Sequence, residues 1–276
     1  ILDRVAFNSD SEMSAILTGL RQHAARPGQA LKVLLGFFSA LRHQELFIAL
    51  NDPQISPVLG VQSADGGLQI GSCPLQFAQS PCINDYLMPV EANLGVNHAD
   101  YTVNKNRELE ITLLPGGEIS AVLKLHYQNS SLDPSDPSHN YKGYLQILLP
   151  ANAVIASVTE QSAQNLTSLE SDLKSTERKL NLGFYIDIPA QQSKTYIIRY
   201  KQKLDFDIHQ DIFGYNLLLQ KQQGTIIPIS VTLSYPSSVV PLVISRPALN
   251  IPGALSFYIT GDRTENISVQ FASARL

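Results

Sequence analysis

RELEITLLPGGEISAVLKLHY, residues 107–127, holds two runs of alternating apolar and polar residues on either side of a Pro-Gly-Gly turn. Alternation with a period of two is typical of β-strands that bury one face, and Pro-Gly-Gly favours a reversal of the chain. The stretch therefore predicts an antiparallel hairpin. The side chains predicted to face the core are Leu109, Ile111 and Leu113 in the first run and Ile119, Ala121, Leu123, Leu125 and Tyr127 in the second.

The same alternation returns in the C-terminal half of the chain. It covers 180–188, 227–233 and 267–271, and loops rich in Pro and Ser occupy 130–140 and 234–241. Several short strands of this kind, separated by Pro, Gly, Asn and Ser turns, are typical of a β-sandwich.

The first hundred residues have a different pattern. Apolar residues recur at helical spacing in two places, and short apolar runs at 45–50 and 86–90 predict strands. The helical stripes are Met13, Ile16, Leu17 and Leu20, and then Leu31, Leu34, Leu35, Phe38 and Leu41. We therefore expect an α+β, mainly β fold. A helical or α/β part spans 1–104, an antiparallel β-sandwich spans 105–210, and strands in 211–276 complete it or form a second small sandwich.

The composition excludes some classes of function. Lys and Arg number 20 against 24 Asp and Glu, which gives a formal net charge of −4, and no run of basic residues exceeds two. A surface that binds nucleic acid needs clustered positive charge, so we expect no nucleic-acid partner. We also expect no cofactor, since no phosphate-binding glycine loop is present. No Gly-x-Ser-x-Gly elbow, the mark of a serine nucleophile, is present either.

Two cysteines, Cys73 and Cys82, flank an eight-residue loop with a proline just inside each end. This spacing predicts a disulfide, which requires an oxidising compartment. The alternative is a pair of reduced thiols in a cytosolic protein. Two sulfurs without a nearby histidine are too few ligands for zinc.

A possible metal site lies in LDFDIHQD, residues 204–211. Asp205, Asp207, His209 and Asp211 would share one face of a strand, and carboxylates with an imidazole can bind a divalent cation. An amphipathic edge strand, with Phe206, Ile208 and Ile212 on the other face, explains the same pattern without a metal. We predict no bound metal here.

EANLGVNHADYTVNKN, residues 91–106, follows neither periodicity and is rich in Asn and Gly. With Asp85 just upstream, it supplies a candidate ligand-binding set of Asp85, Asn93, Asn97 and Asp100, because loops carry binding residues more often than regular elements do. The alternative is structural: Asn and Gly adopt left-handed backbone conformations, so Asn93, Gly95 and Asn97 would build a turn.

Several short motifs resemble a bacterial envelope family, the domain-of-unknown-function family four-zero-one-two. They are the segments NDYLMPVEANLGVNHADYTVNKN, LKLHYQNSS, NYKGYLQILLPANAVI and YNLLLQKQQGT. The matching residues are Asp85, Leu87, Asn93, Gly95, Asp100, Tyr101, Tyr127, Asn129, Tyr141, Tyr144 and Pro150. His98 departs from the family, which usually has Lys there.

The resemblance implies a membrane-anchored, extracytoplasmic protein at the cell surface, in a longer chain whose anchor and Gly-rich region precede Ile1. Because no nucleophile–base pair is visible, we predict a non-catalytic binding or assembly module. Its partner would be a surface glycopolymer or another envelope protein. The alternative is a truncated glycopolymer transferase or hydrolase whose site combines residues 85–100 with missing upstream residues.

Overall fold

The structure is a computed structural model, and its described residues fall into two compact units, 1–67 and 68–276. The described positions are 18, 22, 29–45, 66–77, 80–95, 99–162, 165–204, 206, 208 and 212–274.

The described part of the first unit contains a helix, α1, from Gln29 to Arg42. It ends at a left-handed residue, Gln44 with φ 55°, and the Glu45 N–H donates to the Ala40 carbonyl at 2.9 Å. The helical stripe starting at Leu31 is thereby confirmed. The other predicted helix and the strand at 45–50 lie, apart from Thr18 and Glu45, outside the described residues. None of the described helices is long and apolar enough to cross a bilayer.

The second unit is a sandwich of two mixed sheets. Its strands are β1 Cys82–Asn93, β2 Val103–Leu114, β3 Glu118–Asn129, β4 Tyr141–Pro150, β5 Ala153–Ser162, β6 Asn165–Ser168, β7 Asp172–Ser175, β8 Lys179–Ile188, β9 Ser193–Lys203, β10 Ile212–Leu219, β11 Ile229–Ser234, β12 Val239–Ile244, β13 Leu249–Ile251, β14 Ala254–Ile259 and β15 Glu265–Ser273. Within the described residues, the seven-stranded sheet has the order β12-β15-β10-β1-β4-β8-β7. The eight-stranded sheet has the order β13-β14-β11-β2-β3-β9-β5-β6.

Two strand pairs depart from the antiparallel arrangement expected from the sequence. β1 is parallel to β10, and β2 is parallel to β11. The chain passes from the seven-stranded to the eight-stranded sheet between β1 and β2, and again between β10 and β11. The second passage runs beside the first in the same direction, so both strand pairs are parallel. The C-terminal strands therefore complete the first sandwich and do not form a second one.

The hairpin predicted from the sequence is β2–β3. The structure also confirms the core residues that the alternation predicted. Leu109, Ile111 and Leu113 are at most 1% exposed, and the inward residues of β3, β8, β11 and β15 are at most 8% exposed. One continuous apolar cluster joins the inner faces of both sheets. Burying this alternating apolar face is what holds the two sheets together.

β1 belongs to the sandwich, although the sequence placed it in the N-terminal part. The apolar run predicted at 86–90 is the middle of a longer strand that is buried on both faces. Such a strand loses the alternation by which the others are recognised. The boundary expected at 104/105 thus differs from the division in the structure, which lies at 67/68.

Candidate ligand-binding site

The predicted disulfide is present between Cys73 and Cys82, with 6.3 Å between the Cα atoms. It fastens residues 68–77, here named the crossing segment, to the start of β1. Phe77 is 1% exposed and packs with Cys82 against Gly214, where an added Cβ would lie 2.7 Å from the Cys82 Sγ. The Gln69 N–H donates to Gln220 Oε1 at 2.9 Å. The crossing segment therefore runs along the outer face of β1 and β10.

Asp85 is fully buried on the inner face of β1. Its Oδ2 accepts a hydrogen bond from the Tyr215 hydroxyl, and its Oδ1 accepts one from the Tyr86 N–H, both at 2.7 Å. Burial raises the pKa of the Asp85 carboxyl to about 6, although these bonds and the Lys179 charge act in the other direction. Asp85 is therefore a core carboxyl and does not meet solvent.

The raised pKa of Asp85 predicts a specific dependence of stability on pH. Between its ordinary pKa of 3.8 and about 6, the folded chain binds more protons than the unfolded chain, so stability falls as the pH rises through this window. A shift of about two units corresponds to roughly 3 kcal/mol. Asparagine does not titrate, so Asp85→Asn should not lose this stability. Relative to wild type, its free energy of unfolding should rise by about that amount between pH 4 and pH 7. Urea denaturation across this range measures it, and a difference independent of pH would contradict the burial.

Lys179 lies on the outer face of the same sheet. Its Nζ stands 3.0 Å from the centroid of the Tyr86 ring, a cation–π contact. Burial lowers the pKa of the Lys179 ammonium to about 8, although the Asp85 charge opposes that shift. The Tyr86 hydroxyl donates to Gln220 Oε1 at 2.6 Å, so the ring is fixed from its far end. An aromatic ring and a glutamine thus position the amine.

A pocket of about 420 Å³ opens beside Lys179. One wall is the crossing segment, and the other is the turn between β7 and β8. In that turn the Thr176 N–H donates to the Lys179 carbonyl at 2.9 Å. This volume falls within the range of small-molecule sites. The residues that line the Lys179 pocket are Leu68, Gln69, Ile70, Thr176, Glu177, Arg178 and Lys179.

The structure does not bring the described members of the predicted ligand-binding set together. Asp85 and Asn93 lie eight residues apart on β1, and eight residues of strand span roughly 26 Å. Asn93 Oδ1 accepts from the Gly95 N–H at 2.9 Å, the turn-building contact expected of it. Asp100 is exposed in a short 3₁₀ helix, and Asn97 lies outside the described residues.

Sequence reasoning missed a buried charged cluster between the sheets, here named the Glu91 cluster (Glu91, Lys105, Tyr127 and Tyr141). Lys105 Nζ lies 2.8 Å from Glu91 Oε1 and 3.0 Å from the Tyr141 hydroxyl. Both tyrosines donate to the Glu91 carboxylate, whose side chain is only 4% exposed. The alternation in β2 did indicate this position. Lys105 lies an even number of residues from the core residues Leu109 and Ile111, so it shares their face of the strand.

The QKQQGT stretch at 220–225 closes the end of β10. The Gln222 side-chain amide accepts from the Glu91 N–H and donates to the Glu91 carbonyl, both at 2.8 Å, and so takes the place of a neighbouring strand. Thr225 Oγ1 donates to the Gln222 carbonyl at 2.9 Å, and Gly224 has φ +74°. The described contacts of Gln222 and Thr225 therefore hold the turn together and fasten it to β1.

The weak metal candidates Asp205, Asp207, His209 and Asp211 lie outside the described residues. Phe206 and Ile208, which are described, lie outside any strand, so the edge strand expected there is absent at these positions. They do face the core: Ile208 is 0% exposed, and the Phe206 ring packs against Phe213 at 6.3 Å. Over the described part of the chain, no three His, Cys, Asp or Glu side chains gather as metal ligands would.

Comparison with known proteins gives no family. No family model matches the chain, and no curated protein matches it. Its structure is similar to a candidate nutrient-binding protein from Legionella pneumophila, at 7% identity over 68% of this chain and 72% of that one, with a TM-score of 0.39. It is also similar to an M1 zinc metallopeptidase from Deinococcus radiodurans, at 11% identity over 62% and 42% of the chains, with a TM-score of 0.34. The chain thus spans less than half of that peptidase, and these likenesses carry no functional argument.

Proposed function

We propose that this chain is an extracytoplasmic module of the cell envelope that binds an acidic glycopolymer segment in the Lys179 pocket and does not transform it. In the full-length protein it would be held at the cell surface by a membrane anchor. The resemblance of its motifs to the envelope family named above remains a prediction and motivates the compartment. The observation that carries the proposal is the pocket itself, which has two cationic side chains and a wall fastened by a disulfide.

The chemistry of the pocket favours an acidic ligand. Arg178 and Lys179 stand against one carboxylate, Glu177, so the lining carries an excess of positive charge. Leu68 and Ile70 are 56% and 67% exposed and offer apolar surface for the faces of sugar rings or attached acyl groups. A few polar groups on a partly apolar wall are typical of a site that binds and orients its ligand.

The disulfide supports the compartment and the site together. Disulfides persist in secreted and surface proteins and are rare in the cytosol. Here the bridge holds the segment that forms one wall of the Lys179 pocket, so an oxidising compartment would also preserve the binding surface.

An enzymatic alternative is favoured by the raised pKa of Asp85 and the lowered pKa of Lys179, because perturbed groups often mark catalytic sites. Against it stands the position of Asp85. Its carboxyl lies in the core, it does not line the Lys179 pocket, and both of its oxygens accept hydrogen bonds from neighbouring tyrosines. A general acid or base must reach the reacting bond.

Binding and turnover can be followed separately in one experiment. The protein is titrated with polygalacturonate and with dextran, a neutral polymer, while new reducing ends are assayed in the same samples. The proposal predicts saturable binding of the acidic polymer, weak binding of dextran and no new reducing ends. Turnover would favour the enzymatic alternative, and an absence of binding to both polymers would leave a spacer.

A further inference from the structure

Arg107 extends from the inner face of β2 into the space between the sheets. Its Nη2 atom is inaccessible to solvent and has no hydrogen-bond partner among the described residues. Burial lowers the pKa of the Arg107 guanidinium, although nearby Tyr127 and Glu91 oppose that shift. Leaving a buried cationic donor without a partner costs several kcal/mol in general, so a missing partner is expected close by.

A small cavity of about 30 Å³ lies beside Arg107, between β2 and the loops after β10 and β14. Three of the described residues that line the cavity are cationic, namely Arg107, Lys221 and Arg263. None of the described lining residues is acidic. Lys221 is only 8% exposed, and its Nζ donates to the Asp262 carbonyl at 3.0 Å. Gln220, Gln222 and Thr225 also line the cavity, and their side chains already bond to Tyr86, to the Glu91 backbone and to the Gln222 carbonyl.

We propose that this cavity binds one halide ion, chloride in solution, which accepts a hydrogen bond from Arg107 and neutralises its charge. The size of the cavity restricts the occupant. One water needs at least roughly 10–15 Å³ of such space, so about 30 Å³ holds one or two small occupants and suits a monatomic ion better than phosphate, sulfate or a polymer carboxylate. The charge of the lining then favours an anion over a neutral water, because the described lining residues include three cationic and no acidic side chains. Glu91 lies near Arg107 and Glu265 pairs with Arg263, but neither carboxylate lines the cavity.

No described residue lines both this cavity and the Lys179 pocket, although Gln220 lines the cavity and also accepts from Tyr86, whose ring contacts Lys179. The cavity lies on the inner side of the sheets, where the ion would link β2 to the Gln222 turn that pairs with β1. Its occupation is therefore expected to stabilise the sandwich and to leave polymer binding unchanged.

The test uses bromide, which scatters anomalously, and a matched pair of arginine variants. Crystals soaked in sodium bromide should show an anomalous peak beside Arg107 in wild type. The peak should also be present in Arg199→Met, which removes an exposed arginine on β9, and it should be lost in Arg107→Met. In solution, wild-type Tm should rise by several degrees from sodium gluconate to sodium chloride at equal ionic strength, and Arg107→Met should show no such rise.

Two outcomes would overturn the proposal. One is a wild-type cavity without an anomalous peak, or with bromide only at the surface, together with equal Tm values in the two salts. The other is an undiminished bromide peak in Arg107→Met. If that variant does not fold, the wild-type crystals and the salt comparison still decide the question.

Discussion

Replacing Glu91 with alanine is expected to lower the free energy of unfolding by about 3 kcal/mol, because a buried charge and two tyrosine hydroxyls then lose their acceptor. Lys105 Nζ lies 2.8 Å from the Glu91 carboxylate, and their side chains are only 17% and 4% exposed. Without Glu91, the ammonium stays against the rings of Tyr127 and Tyr141 and has no anionic partner.

A matched surface pair provides the control. Glu118 and Lys201 lie at nearly the same distance, 2.9 Å between Glu118 Oε1 and Lys201 Nζ, with side chains 38% and 56% exposed. Glu118→Ala should cost less than about 1 kcal/mol, since exposed ion pairs contribute little. Urea unfolding of both variants measures the contrast, and equal losses would contradict the burial of the Glu91 cluster.

Gly261→Ala is expected to destabilise the sandwich by about 3 kcal/mol or more, for two additive reasons. The residue has φ +74°, a left-handed conformation that costs an alanine roughly 1–2 kcal/mol. An added Cβ would also lie 2.0 Å from the carbonyl oxygen of Ile227, so the backbone there must move.

Gly224 separates the two reasons. It has the same φ of +74°, but an added Cβ would meet nothing within 4 Å. Gly224→Ala should therefore show only the conformational cost of roughly 1–2 kcal/mol, and the difference between the variants measures the contact with Ile227. If both variants lose the same free energy in urea unfolding, the close approach of Gly261 to Ile227 is not real.

The fold could be predicted where one face of a strand meets the core. Leu109, Ile111 and Leu113 alternate with polar residues because only one side of β2 is buried, and this pattern is local. β1 could not be placed in the same way, because both of its faces are covered and its parallel partner, β10, lies more than a hundred residues away. The alternation along β2 alone would have placed Lys105 on the face that meets the core.

The candidate site could be predicted only in part. The disulfide followed from the spacing of Cys73 and Cys82, and the turn at Asn93 followed from its side chain. The Lys179 pocket did not follow, because it depends on a long-range contact: residues 68–70 lie beside a turn at 176–179. No local pattern marks Lys179, whose amine is positioned by Tyr86, a residue of another strand.

The most direct measurement of the central claim is the affinity of Lys179→Met for polygalacturonate, compared by calorimetric titration with wild type and with Lys174→Met. Lys174 is an exposed lysine of β7 that does not line the Lys179 pocket, so its variant removes the same charge at a nearby position. The account predicts that Lys179→Met binds at least about tenfold more weakly, a loss of about 1.4 kcal/mol, while Lys174→Met binds as wild type does. Equal affinity in all three proteins, or equal loss in both variants, would contradict a ligand site at Lys179.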